Sequence, residues 1–302
     1  MSISIDEVVG QIAAWRGHSI VTRPMTGGLT NLNFRVEVDG TPYFVRIPGA
    51  STELLAIDRK NEVFNTKAAA TAGVGPQVIH HLPDHDVMVL EFIPGQTMSN
   101  VTLQGPGMPA RIAASLKMLH AGPRFLTDFN MFRLIEFYLQ MVEEHTVRIP
   151  DSYRRRLPTV AKIEAAVSAR ALPAVPCNND LLAENYIDDG HLLRLIDFEY
   201  SGNNDPCFEL GNTCQELQYD PPRFEELCRA YFGHASRTML ARMRLYALMS
   251  DVGWTLWGAI QAAVSKIPYD FWGYATGRWD RAERIFDSAE FPGWLDAARQ
   301  PD

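Results

Sequence analysis

The chain has 302 residues, of which 46% are hydrophobic and 21% charged, and its formal net charge is −8. This length exceeds that of a typical single domain and predicts two lobes or domains around a sizeable core. The acidic balance argues against nucleic acid or an anionic membrane as the main partner, and it weakly favours a cationic substrate.

The cysteines point to a reducing compartment. No two cysteines have the C-x-x-C spacing, and a chain of this length does not need disulfides for its stability. Reduced thiols and a cytoplasmic location are therefore expected for Cys177, Cys207, Cys214 and Cys228. No apolar run approaches the roughly 20 residues that span a bilayer. The start, MSISIDEVVGQ, carries early acids, so neither a signal peptide nor membrane insertion is predicted.

The first third of the chain predicts a small β-rich unit. Ser4 and Glu7 form a capping-box pattern that opens a short amphipathic helix. Asp39-Gly40 is a strong hairpin signal, and a helical period covers residues 52–71. Alternating apolar segments predict strands at 19–22, 32–38, 43–47, 77–81 and 87–93. A boundary near Pro94 divides the chain into domains 1–93 and 94–302.

A glycine pair lies between the first two predicted strands, in the segment MTGGLTN at residues 25–31. Glycines let main-chain N–H groups approach phosphates without interference from a Cβ atom. By itself a Gly-Gly pair is more often only a turn. Its position ahead of the motifs described next favours a phosphate-binding loop at Gly27 and Gly28.

The remainder of the chain predicts a mainly helical body. Helical periodicity covers residues 109–120, 129–144, 154–171, 212–218, 245–267 and 272–294. His120, near the end of the first of these helices, is more typical of a cap or core histidine than of a catalyst.

The stretch VPCNNDLLAENYIDDGHLLRLIDFEY, residues 175–200, carries the main chemical signal. Asp180 and Asn185 are five residues apart across one loop, and Asp197 follows an apolar run where a buried strand would end. Asp and Asn are common in turns, so the D-x-x-x-x-N spacing alone is weak and the I-D-F that follows strengthens it. Three converging oxygen-bearing side chains suit Mg²⁺ and phosphoryl transfer.

The pattern D-x-x-x-x-N followed by I-D-F-E-Y resembles the choline/ethanolamine kinases of the aminoglycoside phosphotransferase group. The resemblance extends from about Gly27 to Asp280, and it implies an α+β, bilobal, protein-kinase-like fold with a small β-rich N-lobe and a larger, mainly helical C-lobe. It implies ATP between the lobes, Mg²⁺ held by Asn185 and Asp197, and a substrate hydroxyl oriented by Asp180.

The same resemblance implies the nucleotide-binding residues. GGLTNLNFRV is similar to the phosphate loop of bacterial choline kinases, and Arg46 stands where protein kinases carry a phosphate-binding lysine. Glu62 would pair with Arg46, although on an isolated helix it would be a solvated residue. The hinge E-F-I-P-G would bind adenine through its main chain. The implied ATP-binding residues are Gly27, Gly28, Thr30, Asn31, Arg46, Glu62, Glu91 and Ile93.

Two tryptophans at i,i+3, Trp254 and Trp257, share one face of an apolar helix. Core packing is the more common reason for such a pair. However, DVGWTLWGAIQAAVSKI resembles the helix whose tryptophans wall the amine pocket of choline kinases, where aromatic faces attract a quaternary ammonium. The resemblance adds Glu216 as the acid, Tyr200 as a further ring and Glu199 as an aid to metal or pocket. The implied substrate is a small cationic amino alcohol, choline.

Two positions depart from the family pattern. Asn178 replaces the usual histidine of the catalytic loop, and Glu209 replaces the usual aspartate below that loop. One hypothesis is a compensating pair, in which the longer acid reaches the Asn178 amide. The alternatives are phosphorylation of ethanolamine, phosphorylation of an aminoglycoside or another amino alcohol or sugar, and a catalytically weak pseudokinase that binds nucleotide or choline. The few acids predicted near Trp254 argue against an aminoglycoside.

Overall fold

An antiparallel five-stranded sheet dominates the first 91 residues of the computed structural model, which describes residues 3–25, 28, 30–49 and 52–302. Its spatial order is β1-β2-β3-β5-β4. The strands are β1 (Ile20–Met25), β2 (Asn31–Val38), β3 (Thr41–Pro48), β4 (Val78–Leu82) and β5 (Val87–Glu91).

Helix α1 (Ile5–Gln11) covers one face of this sheet. The predicted capping box is present, because Ser4 accepts from the Glu7 main chain while the Glu7 carboxylate accepts from the Ser4 N–H. Val8 and Trp15 are buried against the sheet residues Val36 and Val45. The helix and the sheet therefore share one apolar core.

The predicted hairpin turn at Asp39-Gly40 joins β2 to β3. Both residues have positive φ, 48° and 83°, as a two-residue turn matched to strand twist requires. The turn sets the register that places Arg46 opposite Asn33 on β2 and Met88 on β5. Local turn chemistry therefore positions the cation predicted for the active site.

Helix α2 (Arg59–Thr71) begins later than the predicted range 52–71. A short 3₁₀ helix, Thr52–Leu55, precedes it. The φ of Ala56 is 59°, and the Asp58 side chain caps α2 by accepting from the N–H groups of Lys60 and Asn61. The Asp58 cap sets the start of α2, which helical periodicity alone had placed at residue 52.

Helices make up most of residues 100–302. The predicted long apolar helix starts earlier than residue 245, because Ser236 caps it, and the helix predicted from 212 starts at Pro206, because Asp205 caps it. The helices are α3 (Asn100–Leu103), α4 (Met108–His120), α5 (Met131–Glu144), α6 (Tyr153–Ser168), α7 (Pro206–Glu216), α8 (Pro221–Phe232), α9 (Arg237–Val264), α10 (Phe271–Phe286) and α11 (Phe291–Ala297).

Short strands frame the stretch 175–200. Strand β7 pairs with β10, and β8 lies between β6 and β9. The loops 178–185 and 196–201 are thereby held at the ends of paired strands. The strands are β6 (Gln96–Thr97), β7 (Val175–Cys177), β8 (Tyr186–Asp188), β9 (Leu193–Leu195) and β10 (Gly202–Asn204).

The four cysteines are buried and free. Within the described part of the chain, no helix combines the length and apolar character needed to cross a bilayer. The cytoplasmic location and the domain boundary after residue 93 stay predictions.

Candidate active site

One cavity of about 550 Å³ brings most of the predicted site residues together. It lies between the N-terminal sheet and helix α9. The predicted residues that line it are Gly28, Thr30, Arg46, Glu91, Ile93, Asp180, Asn185, Asp197, Glu199, Tyr200, Trp254 and Trp257. Asn31, Glu62 and Glu216 lie outside its lining, and Gly27 lies outside the described residues.

Asp180, Asn185 and Asp197, which the spacing predicted to converge, line the same cavity. The Asn185 amide donates to the main-chain oxygen of Asp180 at 2.7 Å, which joins the two ends of one loop. Asp197 has a φ of 62°, a left-handed conformation that residues with a Cβ atom rarely adopt. The turn directs the Asp197 carboxylate into the cavity wall, where Oδ1 lies 3.1 Å from Nη2 of Arg46.

The two aspartates lie in a site that disfavours their negative charge. Burial, followed by the charges of Glu216 and Asp197, raises the pKa of Asp180 well above its usual range. Burial also raises the pKa of Asp197 to about 6, despite the opposing effect of Arg46. Carboxylates in this state favour a bound cation, and the carboxylate and amide oxygens of Asp197 and Asn185 are ligands that Mg²⁺ prefers.

The expected pair between Arg46 and Glu62 is present. Arg46 is 5% exposed, and its Nη1 donates to Oε1 of Glu62. A second cation, Arg59, was missed by the sequence analysis. Its Nη1 lies 2.7 Å from both Oε2 of Glu62 and Oε1 of Glu199. The i,i+3 spacing of Arg59 and Glu62 on α2 is a signal for the first contact, whereas no local pattern indicates the second.

Glu199 joins Thr30 and Asn31 to the part of the cavity that Asp197 lines. Thr30 donates its hydroxyl to Oε2 of Glu199 at 2.9 Å, and the Asn31 amide donates to Oε1. These contacts lie among the residues predicted to bind ATP, so a direct role of Glu199 toward the amine stays a prediction.

The carboxylate oxygens of Glu62, Asp197 and Glu199 lie within 4.8 Å of one another, close enough to share one metal ion. Arg46 and Arg59 form ion pairs with these acids. The cluster is therefore already supplied with positive charge by the protein. Asp197 belongs to this cluster and also lines the cavity with Asn185, and these two residues are the candidates for Mg²⁺ that the sequence indicated.

The part of the cavity that carries the predicted ATP-binding residues has the expected glycine and an apolar lining. Gly28 has a φ of 91°, a backbone conformation that favours glycine over residues with a Cβ atom. At the predicted hinge, the N–H of Glu91 is occupied by the Gln77 carbonyl at 2.8 Å. Apolar side chains that sequence reasoning did not assign complete the slot: Met25, Phe44, Leu90, Phe92 and Ile196.

The opposite end of the cavity is aromatic. Trp254 and Trp257 are only 2% and 7% exposed, yet both line the space beside Asp180. The ring of Tyr200 lies 4.8 Å from that of Trp254 between centroids, in an edge arrangement. Two further rings, Tyr269 and Tyr274, line the same space and were missed by the sequence analysis. Both follow α9 at positions where composition gives no specific signal.

Glu216 lies behind this aromatic wall. Its Oε2 accepts from Nη2 of Arg278 at 2.7 Å, while its buried Oε1 has no hydrogen-bond donor among the described residues. The Arg278 guanidinium lies 4.5 Å from the centroid of Tyr274. Asp251 also accepts from Arg278, at 3.2 Å. Glu216 is therefore an ion-paired acid near the rings, and a direct contact with the amine stays a prediction.

The hypothesis of a side-chain pair between Asn178 and Glu209 is wrong. Oε1 of Glu209 accepts from the main-chain N–H groups of Asn178 and Asn179, at 2.7 and 3.1 Å, while the Asn178 amide points to other partners. Oε2 of Glu209 lies 2.8 Å from Nε2 of His120, whose Nδ1 lies 2.6 Å from the Tyr231 hydroxyl. The core interpretation of His120 is confirmed, because its buried ring anchors the acid below the catalytic loop.

Comparisons with known proteins give a consistent result. A family model described as choline/ethanolamine kinase matches residues 22–227. The crystal structure of a choline/ethanolamine kinase family protein from Mesorhizobium loti is 37% identical, covers 97% of this chain and 98% of its own, and has a TM-score of 0.85. Ethanolamine kinase 1 from Mus musculus is 26% identical over 308 residues, with 88% of this chain and 84% of the relative covered.

A third comparison concerns the fold alone. The crystal structure of choline kinase LicA from Streptococcus pneumoniae has a TM-score of 0.78 at 24% identity, covering 92% of this chain and 97% of that one. The predicted fold class, α+β and protein-kinase-like with a small β-rich lobe and a larger helical lobe, is confirmed.

Proposed function

Because the chain belongs to the choline/ethanolamine kinase family, we propose that it transfers the γ-phosphate of ATP to the hydroxyl of a small amino alcohol, choline in preference to ethanolamine. One observation carries the proposal. Asp180, Asn185 and Asp197 line the same cavity as Trp254 and Trp257, so a group that orients a hydroxyl and a wall that attracts a methylated amine share one space.

Asp180 has the support that an orienting base needs. Its N–H donates to Oδ1 of Asn178 at 3.1 Å, and its carbonyl accepts from Asn185 at 2.7 Å. With its main chain held on both sides, its carboxylate can accept the hydrogen of the substrate hydroxyl and aim the oxygen at the γ-phosphorus. The new oxygen–phosphorus bond forms as the bond to the β-phosphate oxygen breaks, and Asp180 takes the hydroxyl proton.

Asn185 and Asp197 would hold Mg²⁺, which when bound would neutralise charge on the phosphates. Arg46 lines the cavity beside Asp197 and offers a planar guanidinium suited to phosphate oxygens. Its ion pair with Glu62 fixes the guanidinium before any nucleotide binds. The chain's own contribution is therefore a preorganised cation at the phosphate end of the cavity.

The aromatic end favours a trimethylated amine. A quaternary ammonium donates no N–H bond and is attracted to ring faces, whereas the ammonium of ethanolamine carries three donors that need acceptors. The charge of the nearby acid, Glu216, is balanced by Arg278, which weakens its attraction for a primary ammonium or a polycationic aminoglycoside. The rings that line this end are Tyr200, Trp254, Trp257, Tyr269 and Tyr274.

Replacing Trp257 by alanine should weaken choline binding more than ethanolamine binding. A desolvated cation–π contact contributes about 2 kcal/mol, which corresponds to a loss of roughly 30-fold in choline affinity. Calorimetric titration of both amines into wild type and variant measures the two losses. Trp272→Ala is the matched control, because the Trp272 ring does not line the cavity. Its centroid lies 4.2 Å from Cζ of Arg148. Equal losses for the two amines would contradict the choline preference.

A non-catalytic binding protein is the second candidate, and Asn178 at the usual histidine position favours it. Formation of ADP and phosphorylated product with ATP, Mg²⁺ and a panel of choline, ethanolamine and an aminoglycoside separates the candidates. Wild-type turnover no faster than that of Asp180→Asn with every acceptor would reject the kinase. A higher kcat/KM for ethanolamine than for choline would reject the choline preference alone.

A further inference from the structure

Asn178 is completely buried, and its side chain uses both ends of its amide. Nδ2 donates to the main-chain oxygens of Ile196 and Asp197, at 3.1 and 2.8 Å. Oδ1 accepts from the N–H of Asp180 at 3.1 Å. One side chain therefore joins the main chain of the loop that carries Asp180 to that of the loop that carries Asp197.

Both ends of this bridge lie at unusual backbone conformations. Asp197 has a φ of 62°, and Asn179, between Asn178 and Asp180, has a φ of 69°. Such conformations persist in residues with a Cβ atom only when their surroundings hold them. The Asn178 amide bonds the carbonyl of Asp197 itself and that of the preceding residue. It also bonds the N–H that directly follows Asn179.

We propose that Asn178 is a positioning residue for phosphoryl transfer, which sets Asp180 and Asp197 at a fixed separation by bonding the main chains of both. The inference rests on the proposed function. The bridge requires two donors and one acceptor on a short planar group, and an asparagine amide supplies all three. A neutral histidine supplies one donor and one acceptor. The residue that suggested a non-catalytic protein thus has the contacts of a catalytic scaffold.

The competing explanation is that Asn178 only pairs buried main-chain groups and so stabilises the fold. Asn203 is a second buried asparagine with which this explanation can be tested. Asn203 is 1% exposed. Its Nδ2 donates to the carbonyls of Phe125 and Thr127, at 3.0 and 2.9 Å, and its Oδ1 accepts from the N–H of Phe125 at 2.9 Å. The hydrogen-bond pattern is close to that of Asn178, with one additional contact from Nδ2 to Oδ1 of Asp128 at 3.0 Å, and Asn203 does not line the active-site cavity. The pair separates a general loss of stability from a loss of positioning.

The test compares Asn178→Asp with Asn203→Asp. Asn178→Asp keeps the shape and the acceptor for the Asp180 N–H but replaces the donor that faces two carbonyls. Three quantities are measured: calorimetric affinity for ADP with Mg²⁺ and with a chelator, kcat and KM for choline, and Tm.

Asn178→Asp is expected to weaken Mg²⁺-dependent ADP binding at least tenfold and to lower kcat by about 10²-fold, as a displacement of roughly 1 Å would. Its metal-free ADP affinity and choline KM should stay within about twofold, because Asn178 does not line the cavity. Asn203→Asp should lower Tm and leave all of these constants unchanged.

Two results would overturn the inference: an Asn178→Asp variant with the same kcat and ADP affinities as Asn203→Asp, or one that loses metal-free and Mg²⁺-dependent binding equally. If Asn178→Asp does not fold, Asn178→His and Asn178→Leu replace it. The histidine variant should exceed the leucine variant in kcat at least tenfold, and equal values would reject the bridge. If the wild type shows no turnover but Asn178→Asp still selectively loses Mg²⁺-dependent ADP binding, the proposed kinase activity is rejected and the bridge is retained.

Discussion

Replacing Asp180 by asparagine should lower kcat by about 10²- to 10⁴-fold, the usual contribution of a positioned acid–base group. The variant keeps the size of the side chain and loses the proton acceptor for the substrate hydroxyl. Binding of choline and of nucleotide should change little, because the rings and Arg46 are unaltered. Steady-state kinetics with ATP and choline, together with calorimetric affinities, measure the separation of kcat from binding.

The same variant should be more stable than the wild type in metal-free protein at neutral pH. Burial and neighbouring acids hold the pKa of Asp180 above its usual value in the folded state. The folded protein therefore binds this proton more tightly than the unfolded chain, so stability is lost as pH rises through the folded pKa.

The Asp180→Asn variant does not lose this stability, because its side chain carries no ionisable proton. The difference in Tm between the variant and the wild type should therefore shrink as pH falls toward the ordinary carboxyl pKa. Asp84→Asn, at an exposed turn between β4 and β5, is the control for replacing a carboxylate by an amide. A lower Tm for Asp180→Asn at neutral pH would contradict the expected electrostatic cost of the ionised group.

Replacing Arg46 by methionine should have the largest effect on stability. Arg46 is buried and forms ion pairs with Glu62, Asp197 and, at 4.0 Å, Glu199. Removing one partner of a buried ion pair costs about 3–5 kcal/mol, because the remaining charge is left uncompensated. Denaturant unfolding at neutral pH measures the loss. Arg35→Met is the control, since Arg35 pairs with Glu37 at a side-chain exposure of 38% and should cost about 1 kcal/mol or less.

The Arg46→Met variant should also recover stability on acidification. In the wild type the pKa of Asp197 is raised to about 6, and Arg46 opposes that rise. Without Arg46 the pKa of Asp197 should rise further, so the folded variant takes up protons that the unfolded chain does not. The stability deficit relative to the wild type should therefore narrow as pH is lowered from about 8 to 6. A deficit that is independent of pH would assign the loss to packing instead of charge.

Local chemistry made several features predictable from the sequence. The capping box at Ser4 and the turn at Asp39-Gly40 depend on neighbouring residues, and both form as expected. Asp180, Asn185 and Asp197 line one cavity, because a short loop joins the first two and a buried strand ends just before the third. Patterns of this kind need only a few consecutive residues to be recognised.

The resemblance to a known family predicted features that local patterns alone do not indicate. It indicated the Arg46–Glu62 pair and the placement of Trp254 and Trp257, which helical periodicity alone assigns to a core. The structure has the ion pair, and both rings line the cavity while remaining almost fully buried. Spacing could not have separated the two uses of an indole on an apolar helix.

The charge network of the site was decided only by the tertiary structure. Arg59 bonds Glu199 across 140 positions of the chain, and Glu216 is engaged by Arg278 across 62. Glu209 bonds main-chain N–H groups where a side-chain pair with Asn178 was expected. The amino-acid sequence by itself indicated the candidate residues for the chemistry and several of the strands and turns that present them. Which acid meets which cation depended on how distant elements pack, because a charge buried in that packing must find its partner in space.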